Sequence, residues 1–284
     1  MSRIAYVNGR YVPHRAARVH IEDRGYQFAD AVYEVIAIAN GRLVDGGGHL
    51  DRLERSLREL RIAEPMTRRA LEAVMAEVIR RNGIRNGSIY MQLSRGVAPR
   101  DHPFPANPRT QVVMTAKHGA PPSPKIAEDG VKVITQADIR WSRCDVKSVS
   151  LLPNILAKQA AREAGAYETF MVDRDGMVTE GSSTNAWIID GDGALVTRPA
   201  SNAILDGITR RRVIDLARQS GIKVVERPFS VDEMKRAREV FLTSTSAYVT
   251  PVTQVDDRTI ANGKPGSTTL ALRERYLAFM AQVA

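Results

Sequence analysis

The chain has 284 residues, of which 43% are hydrophobic and 26% charged, a balance that excludes disordered and fibrous proteins and predicts a globular fold of one or two domains. Its formal net charge is +9, but no long block of like charges occurs and only 6% of the residues are aromatic, which argues against a nucleic-acid partner. The single cysteine, Cys144, excludes an intrachain disulfide, and no apolar run approaches the ~18 residues of a membrane span, so we expect a cytoplasmic protein without a membrane anchor.

Turn signals and hydrophobic periodicity predict strands and helices that mix without strict alternation over the first 118 residues. Asn8-Gly9 between two short β-prone runs predicts an opening hairpin. Residues 24–30 are interpreted as a loop, followed by a strand over Ala31–Ala39 in which Tyr33 and Val32 point to opposite faces. The other expected elements are two helices, Leu50–Leu60 and Thr67–Asn82 with Thr67 as N-cap, and two strands, Ser88–Ser94 and Thr110–Ala116.

A proline-rich stretch, Gly119–Pro124, predicts a stiff connector because closely spaced prolines cannot sit in a helix or a sheet ladder. We therefore expect a smaller α+β domain over residues 1–118, a linker over 119–125 and a larger domain over 126–284. The elements expected after the linker are the strands Val131–Thr135, Glu168–Val172, Asn185–Asp190, Ala194–Thr197, Lys223–Arg227 and Glu239–Thr243, and the helices Asn154–Gly165 with Gly165 as C-cap, Ile208–Ser220, one from Val231, and Thr269–Val283.

Lys147 is one of only eight lysines among 41 basic residues. Arginine stays protonated at any accessible pH, whereas a lysine in an apolar setting can become an amine nucleophile that condenses with an aldehyde. Taken alone, the segment around Lys147 is more typical of an exposed strand lysine between Val146 and Val149. A rival, Lys158, lies in a predicted helix, where a solvated face explains it better.

Seven groups of short motifs occur along the chain in an order and spacing typical of one family. They are RGYQFADAVYEV, HLDRL, SRGVAPRDH, RCDVKS followed by LLPNILAKQ, TEGSSTN, ILDGITR and TSTSAYVTPV. Together they resemble the fold-type IV pyridoxal-phosphate enzymes, and among these the D-amino-acid aminotransferases, over nearly the whole chain. The resemblance implies a mixed α/β fold (α+β mixed) of two domains, with the larger C-terminal domain carrying the cofactor lysine.

By this resemblance, Lys147 holds pyridoxal 5'-phosphate as a Schiff base and, once released as a free amine, moves a proton at the substrate's α-carbon. Glu180 in T-E-G-S-S-T-N corresponds to the carboxylate beside the pyridine nitrogen, which keeps that nitrogen protonated so that the ring accepts electrons. Taken alone, Glu180 is more typical of a turn residue before Gly181. No metal is implied.

Residues that resemble the family's phosphate-binding site come from three segments. Arg52 in H-L-D-R-L offers a forked guanidinium that suits phosphate oxygens. Gly207 allows the backbone to approach closely, while Ile208 and Thr209 open a helix whose N-terminal N–H groups and dipole favour an anion. The resemblance also implies hydroxyl and backbone donors from Ser244 and Thr245 and an apolar contact of Leu205 with the ring.

Substrate recognition is implied by an Arg-x-His pair, Arg100 and His102, together with Tyr33. In the resembled family this group binds the substrate's α-carboxylate, and the pair lies on a loop that reaches into the other subunit's site in a homodimer. Charged and neutral donors suit one planar carboxylate. Seen alone, the loop is more typical of a solvent-exposed proline-rich connection.

Four positions depart from the family's pattern. Ala29 and Ala31 stand where glycine is common, and Ala247 and Tyr248 stand where serine and glutamate are common. The first pair adds methyl groups beside the Tyr33 strand, and the second puts an aromatic ring near the site. We therefore expect a side-chain pocket whose substrate preferences differ from those of relatives.

The resemblance implies a transaminase that moves the amino group of a D-amino acid to a 2-oxo acid. Within the same fold the alternatives are a branched-chain L-amino-acid aminotransferase and an aminodeoxychorismate-type lyase, both of which the Arg100-x-His102 pair disfavours. An alternative of another class is a non-catalytic protein that binds anions or nucleic acid through the basic N-terminal half. Uptake of pyridoxal phosphate, visible as a colour, separates the enzyme from that last alternative.

Overall fold

The computed structural model describes residues 3–120 and 122–282, which form two compact units, each with its own sheet and hydrophobic core. The first unit comprises residues 3–120, Val146–Ser150 and 281–282, and the second comprises 122–145 and 151–280. Pro121 of the expected linker and Val283 of the expected final helix lie outside the described residues. Within the described ranges, no helix is long and apolar enough to cross a bilayer.

An antiparallel sheet of six strands, in the order β2-β1-β6-β5-β3-β4, forms the first unit. The predicted opening hairpin is confirmed, and both Asn8 (φ 48°) and Gly9 (φ 92°) adopt the positive φ that a tight two-residue turn requires. The strands are β1 (Ile4–Val7), β2 (Arg10–Pro13), β3 (Ala31–Ala39), β4 (Arg42–Leu43), β5 (Gly87–Ser94) and β6 (Gln111–His118).

Three helices and a short 3-10 helix, His14–Ala16, belong to the first unit. The helices are α1 (Arg24–Phe28), α2 (Gly46–Glu59) and α3 (Arg68–Asn82). The apolar stripes of α2 and α3 join strand residues in one core, as their periodicity predicts. Thr67 is the N-cap of α3 and accepts a hydrogen bond from the Ala70 amide at 3.3 Å, which confirms its predicted role.

The loop expected over residues 24–30 is wrong, because α1 occupies most of it. Asp23 caps this helix by accepting from the amide of Gly25 at 2.8 Å, and Ala29 ends it with φ +56°. A left-handed conformation costs an L-residue other than glycine ~1 kcal/mol or more, so alanine at position 29 carries strain that glycine would relieve. The helix α2 also begins earlier than expected, at Gly46, since packing overrides the poor helix propensity of its three glycines.

The second unit is built on a mixed sheet of nine strands in the order β12-β11-β10-β13-β14-β7-β8-β9, with β15 paired to β14. Its parallel pairs are β11–β12, β14–β7 and β7–β8, so the predicted mixed α/β class is confirmed. The strands are β7 (Val131–Ala137), β8 (Glu168–Val172), β9 (Val178–Gly181), β10 (Asn185–Ile189), β11 (Leu195–Thr197), β12 (Val224–Glu226), β13 (Glu239–Ser244), β14 (Tyr248–Val255) and β15 (Arg258–Thr259).

Among the described residues, five helices belong wholly or mainly to the second unit. They are α4 (Pro124–Asp129), α5 (Leu152–Glu163), α6 (Ile208–Gln219), α7 (Val231–Arg236) and α8 (Ser267–Gln282). The end predicted for α5 is off by one residue, because Ala164 is its C-cap and Gly165 follows with φ +63°. The expected proline connector is wrong at its end, where Pro124 opens α4 in the first turn that proline tolerates.

Candidate functional site

Lys147 lies in an extended segment of the first unit rather than in a regular strand, contrary to its local interpretation. Its carbonyl accepts from the amide of Tyr33 at 3.0 Å, and its amide donates to Oγ of Ser56 at 3.3 Å. An isolated bridge joins Ser148 to Val32 in β3. The backbone on both sides of Lys147 is therefore fixed to β3 and α2, which leaves the side chain as the mobile part.

The side chain of Lys147 extends over the ring of Tyr33, with 4.2 Å between Nζ and the ring centroid. Tyr33 in turn contacts Tyr90 of β5, with 5.9 Å between ring centroids. The structure thus brings together two of the predicted site residues, one for cofactor attachment and one for substrate binding.

Arg52, the predicted phosphate ligand on α2, belongs to a buried cluster that sequence reasoning missed. Its Nε and Nη2 atoms each donate to Glu34 of β3 at 2.8 Å, and Glu34 is fully buried. Burial alone would raise the pKa of Glu34, but Arg52 and His49 outweigh it and lower the pKa to about 2. Arg52 is therefore held in a fixed orientation, and Glu34 balances its charge. It would bind a phosphate through directed N–H donors and not through an uncompensated positive charge.

His49 is the third member of this cluster and lies 2.8 Å from Oε2 of Glu34, measured from Nδ1. Burial lowers the pKa of His49 against the opposing effect of Glu34, and the charges of Arg52 and Lys147 lower it further. The ring is neutral near pH 7, and it carries its proton on Nδ1 because an ionised carboxylate can only accept.

Glu180 lies on β9 of the second unit, so its interpretation as a turn residue is wrong. Its carboxylate accepts from the amide of Leu205 at 3.0 Å and from Nδ2 of Asn185 at 3.0 Å. Burial raises the pKa of Glu180, and the opposing hydrogen bonds of Arg140 and Leu205 do not cancel that effect. A buried carboxylate with a raised pKa is a strong proton acceptor toward a ring N–H.

Arg140 is a second residue that sequence reasoning missed. Its guanidinium donates to Glu180 at 2.5 Å and to both carboxylate oxygens of Asp138, at 3.0 and 2.7 Å. Burial would lower the pKa of Arg140, but the two carboxylates raise it, so the guanidinium stays protonated. Nothing in the sequence singled out Arg140, because its partners lie two residues before it and 40 residues after it.

Asn185 lies beside two of the predicted phosphate-binding segments of the second unit. Gly207 is the N-cap of α6 and adopts an ordinary φ of −65°, but a Cβ there would clash with Oδ1 of Asn185. Glycine is therefore required by the close approach of Asn185, whereas the predicted approach to a phosphate stays a prediction. Gly207 has no side-chain oxygen for the first N–H groups of α6, those of Ile208 and Thr209, which suits them to bind an anion.

Strand register brings the third predicted segment to the same end of the second unit. Asn185 of β10 pairs with Thr243 of β13, so Ser244 follows directly beside it. Oγ of Ser244 accepts from the amide of Ala247 at 3.1 Å, and Thr245 lies on the turn between β13 and β14.

Arg100 and His102 are exposed on the loop between β5 and β6. Both contact Phe28 at the end of α1, with 5.0 Å from Cζ of Arg100 to the ring centroid and 5.6 Å between the rings of Phe28 and His102. Within this chain, the pair therefore flanks one aromatic ring of the first unit while both residues stay exposed.

Three of the departures from the family's pattern have definite environments. Ala31 is fully buried at the start of β3, and Ala247 is buried after β13. Tyr248 adopts φ +58°, and its ring contacts Tyr276 of α8 with 5.7 Å between centroids. A positive φ at a tyrosine is uncommon and strained, so packing against α8 holds this turn in place.

Comparisons with known proteins give one answer for the family. The model of the class IV amino-transferases matches residues 31–255. D-alanine aminotransferase of Bacillus licheniformis is 42% identical over 262 residues, which cover 92% of each chain. D-alanine aminotransferase of Listeria innocua is 40% identical over 273 residues, which cover 95% of this chain and 94% of the relative.

Solved structures give the same fold. The branched-chain amino acid aminotransferase of Escherichia coli has a TM-score of 0.91 at 25% identity, over 98% of this chain and 94% of the other. The branched-chain aminotransferase of Thermoproteus uzoniensis has a TM-score of 0.90 at 26% identity, over 99% and 96%. The fold and its buried carboxylate define a fold-type IV pyridoxal-phosphate enzyme. The chain belongs to the amino-transferase class IV family, and it is an aminotransferase that depends on pyridoxal phosphate.

The residues present fit this cofactor on two observations. The start of α6 has no side-chain cap, because its N-cap is Gly207, and this leaves backbone donors for a phosphate. The buried carboxylate of Glu180 is oriented by three donors and has a raised pKa, which suits it to a protonated ring nitrogen.

Proposed function

We propose that the protein moves the amino group of a D-amino acid to a 2-oxo acid. The observation that carries this proposal is the exposed pair Arg100 and His102 beside Phe28, donors suited to an α-carboxylate. The curated relatives at 40–42% identity are named D-alanine aminotransferases. A branched-chain aminotransferase is the second candidate, because structures at 25–26% identity carry that name.

We assign the cofactor to residues with matched chemistry. Arg52, the first amides of α6 at Ile208 and Thr209, and the donors of Ser244 and Thr245 would hold the phosphate group. Leu205 would lie against the ring, and Glu180 would accept the hydrogen bond of the ring N–H. When bound, pyridoxal phosphate supplies an electron-accepting ring for the charge that develops at the substrate's α-carbon.

Lys147 is assigned the covalent attachment and the proton transfer. Its backbone is fixed by Tyr33 and Ser56, so the free side chain can swing while its origin stays in place. As a neutral amine, Nζ would take the proton from the substrate's α-carbon and return it during the second half of the reaction. Tyr33, against which Nζ lies, is assigned a donor role toward the α-carboxylate.

Truncating the proposed carboxylate ligand tests the function. We expect Arg100→Ala to lower kcat/KM for D-alanine roughly 100-fold, because a charge-assisted hydrogen bond to the carboxylate is lost. D-alaninol keeps the same carbon skeleton and configuration but has a hydroxymethyl group in place of the carboxylate, so its rate of amino transfer should change less than about threefold. Equal losses for D-alanine and D-alaninol would contradict the proposal, and faster reaction with L-leucine than with D-alanine in the unmodified protein would favour the second candidate.

We also propose a cytoplasmic homodimer. Large apolar side chains stay exposed on the second unit: α5 buries only Ala157 and Ala161, while Leu152, Ile155 and Leu156 are more than half exposed. Apolar groups in such number on one helix are typical of an interface, and a second copy of this chain is the partner that the assigned Arg100 loop requires. The single cysteine fits a reducing compartment.

Placing a charge on this helix tests the dimer. The unmodified protein should sediment at twice the chain mass of 31.4 kDa. Leu156→Glu should shift it toward the monomer and lower activity with it, because a buried unpaired carboxylate is costly at an interface. Glu163→Gln, at the end of the same helix, is the matched control and should leave the dimer intact. A monomeric unmodified enzyme with full activity would contradict the assembly.

A further inference from the structure

The loop that carries Arg100 and His102 is tied to the first unit by a buried arginine, Arg24 of α1. Arg24 is only 4% exposed, although it lies in a helix of five residues near the surface. Its Nη1 donates to the carbonyl of Asp101 at 2.6 Å, and its Nη2 donates to the carbonyl of His102 at 3.2 Å. These carbonyls belong to the two peptide bonds that flank His102, so one guanidinium constrains the backbone on both sides of that residue.

The other edge of Arg24 is fixed as well. Its Nε donates to Asp30 at 2.8 Å, and Asp30 immediately precedes β3, the strand of Tyr33. Arg95 at the end of β5 also donates to Asp30, at 2.8 and 2.9 Å. Burial would raise the pKa of Asp30, but Arg95 and Arg24 lower it, so the carboxylate is ionised near neutral pH. Arg24 therefore links the origin of the Tyr33 strand to the loop.

The ring of Phe28 completes this arrangement. Cζ of Arg24 lies 4.8 Å from its centroid, and the side chains of Arg100 and His102 contact the same ring. The ring alone could not orient the pair, because a cation–aromatic contact at an exposed position is weak and broad. The two hydrogen bonds from Arg24 to loop carbonyls are directional, and they can therefore orient the loop where the ring contact cannot.

We propose that Arg24 is a positioning residue for substrate binding: it holds the Arg100–His102 loop in the geometry that receives the substrate's α-carboxylate. The proposal rests on the proposed function of that loop. The side chain of Arg24 contacts the loop backbone, Asp30 and Phe28, so it acts through Arg100 and His102. A loop without this anchor must be ordered by the substrate at each binding event, and that ordering weakens binding.

Arg24→Lys separates the effect of the hydrogen bonds to the loop from the effect of the ion pair with Asp30. The ammonium group that Arg24→Lys introduces can still pair with Asp30, but it cannot reach two carbonyls and a carboxylate in the fork geometry of arginine. We expect the KM for D-alanine and for the acceptor 2-oxoglutarate to rise roughly 10-fold, while kcat changes less than about threefold. Amino transfer from D-alaninol, which has no carboxylate, should stay within about twofold.

Arg95→Lys is the matched control. Arg95 binds the same carboxylate and is equally buried, but its carbonyl partners are Leu60 and Arg61 at the end of α2, and it meets the loop through the ring of Phe104. We expect it to lower the melting temperature at least as much as Arg24→Lys while leaving KM within about twofold. An unchanged KM in Arg24→Lys, or equal losses with D-alanine and D-alaninol, would overturn the positioning role. If Arg100→Ala lowers the reactions of D-alanine and D-alaninol equally, the proposed function fails, whatever the result for Arg24→Lys.

Discussion

Lys147→Ala should abolish transamination, with kcat lowered roughly 10⁴-fold or more. Alanine removes both the amine that attaches the cofactor and the base that moves the α-proton, and the structure offers no substitute on the same backbone segment, whose neighbours are Val146 and Ser148. The fold should survive, because the backbone contacts of Lys147 with Tyr33 and Ser56 do not involve its side chain. The rate at which D-alanine forms pyruvate with 2-oxoglutarate as the acceptor is the measurement.

Lys158→Ala is the matched control for this experiment. Lys158 lies on α5, where its Nζ donates to the carbonyl of Tyr167 at 2.5 Å and lies 3.5 Å from Glu168. We expect near-normal turnover from this variant. Borohydride reduction of the unmodified protein, followed by peptide mass analysis, should locate the cofactor on Lys147. Normal turnover of Lys147→Ala, or a cofactor fixed on Lys158, would refute the assignment.

The fold class was predictable because local signals agreed with the tertiary structure over most elements. The Asn8-Gly9 turn, the strand Ala31–Ala39 and the Thr67 cap are each specified by residues close in sequence. The missed elements lack such signals. β9 has only four residues, and β14 contains Pro251, whose missing N–H weakens the local signal for a strand.

The sequence proposes individual site residues only where a motif carries them, and it does not indicate their partners. Glu34, His49 and Arg140 each have a partner between 15 and 40 positions away, and no periodicity or spacing rule reports such a contact. The close approach at Gly207 was expected from the need of a phosphate, yet the group that demands it, Asn185, is known only from the structure. The expected domain boundary near residue 118 stays a prediction.

Glu34→Gln should lower the free energy of unfolding by about 3 kcal/mol at pH 7, because it leaves Arg52 buried without its counter-charge. Linkage gives a similar figure. The pKa of Glu34 is about 2 in the folded protein against 4.5 in the unfolded chain, and each unit of this pKa difference stabilises the folded protein by about 1.4 kcal/mol when Glu34 is ionised. The pKa of the folded state is the lower one. The contribution is therefore complete above about pH 6 and is lost as the pH falls from about 5 toward 2.

Urea denaturation followed by circular dichroism at pH 7 and pH 4 measures this effect. We expect the difference in unfolding free energy between the unmodified protein and Glu34→Gln to be about 1 kcal/mol smaller at pH 4 than at pH 7. At pH 4, Glu34 is partly protonated in the unfolded chain but still ionised in the folded protein. Glu77→Gln is the control: arginines also hold the pKa of Glu77 at about 2, yet it lies on the accessible face of α3. Water screens the ion pairs of Glu77 with these arginines, so the urea midpoint of Glu77→Gln should hardly differ from that of the unmodified protein. A similar loss of unfolding free energy in Glu34→Gln and Glu77→Gln would mean that the buried Glu34–Arg52 pair stabilises the fold no more than an accessible pair does.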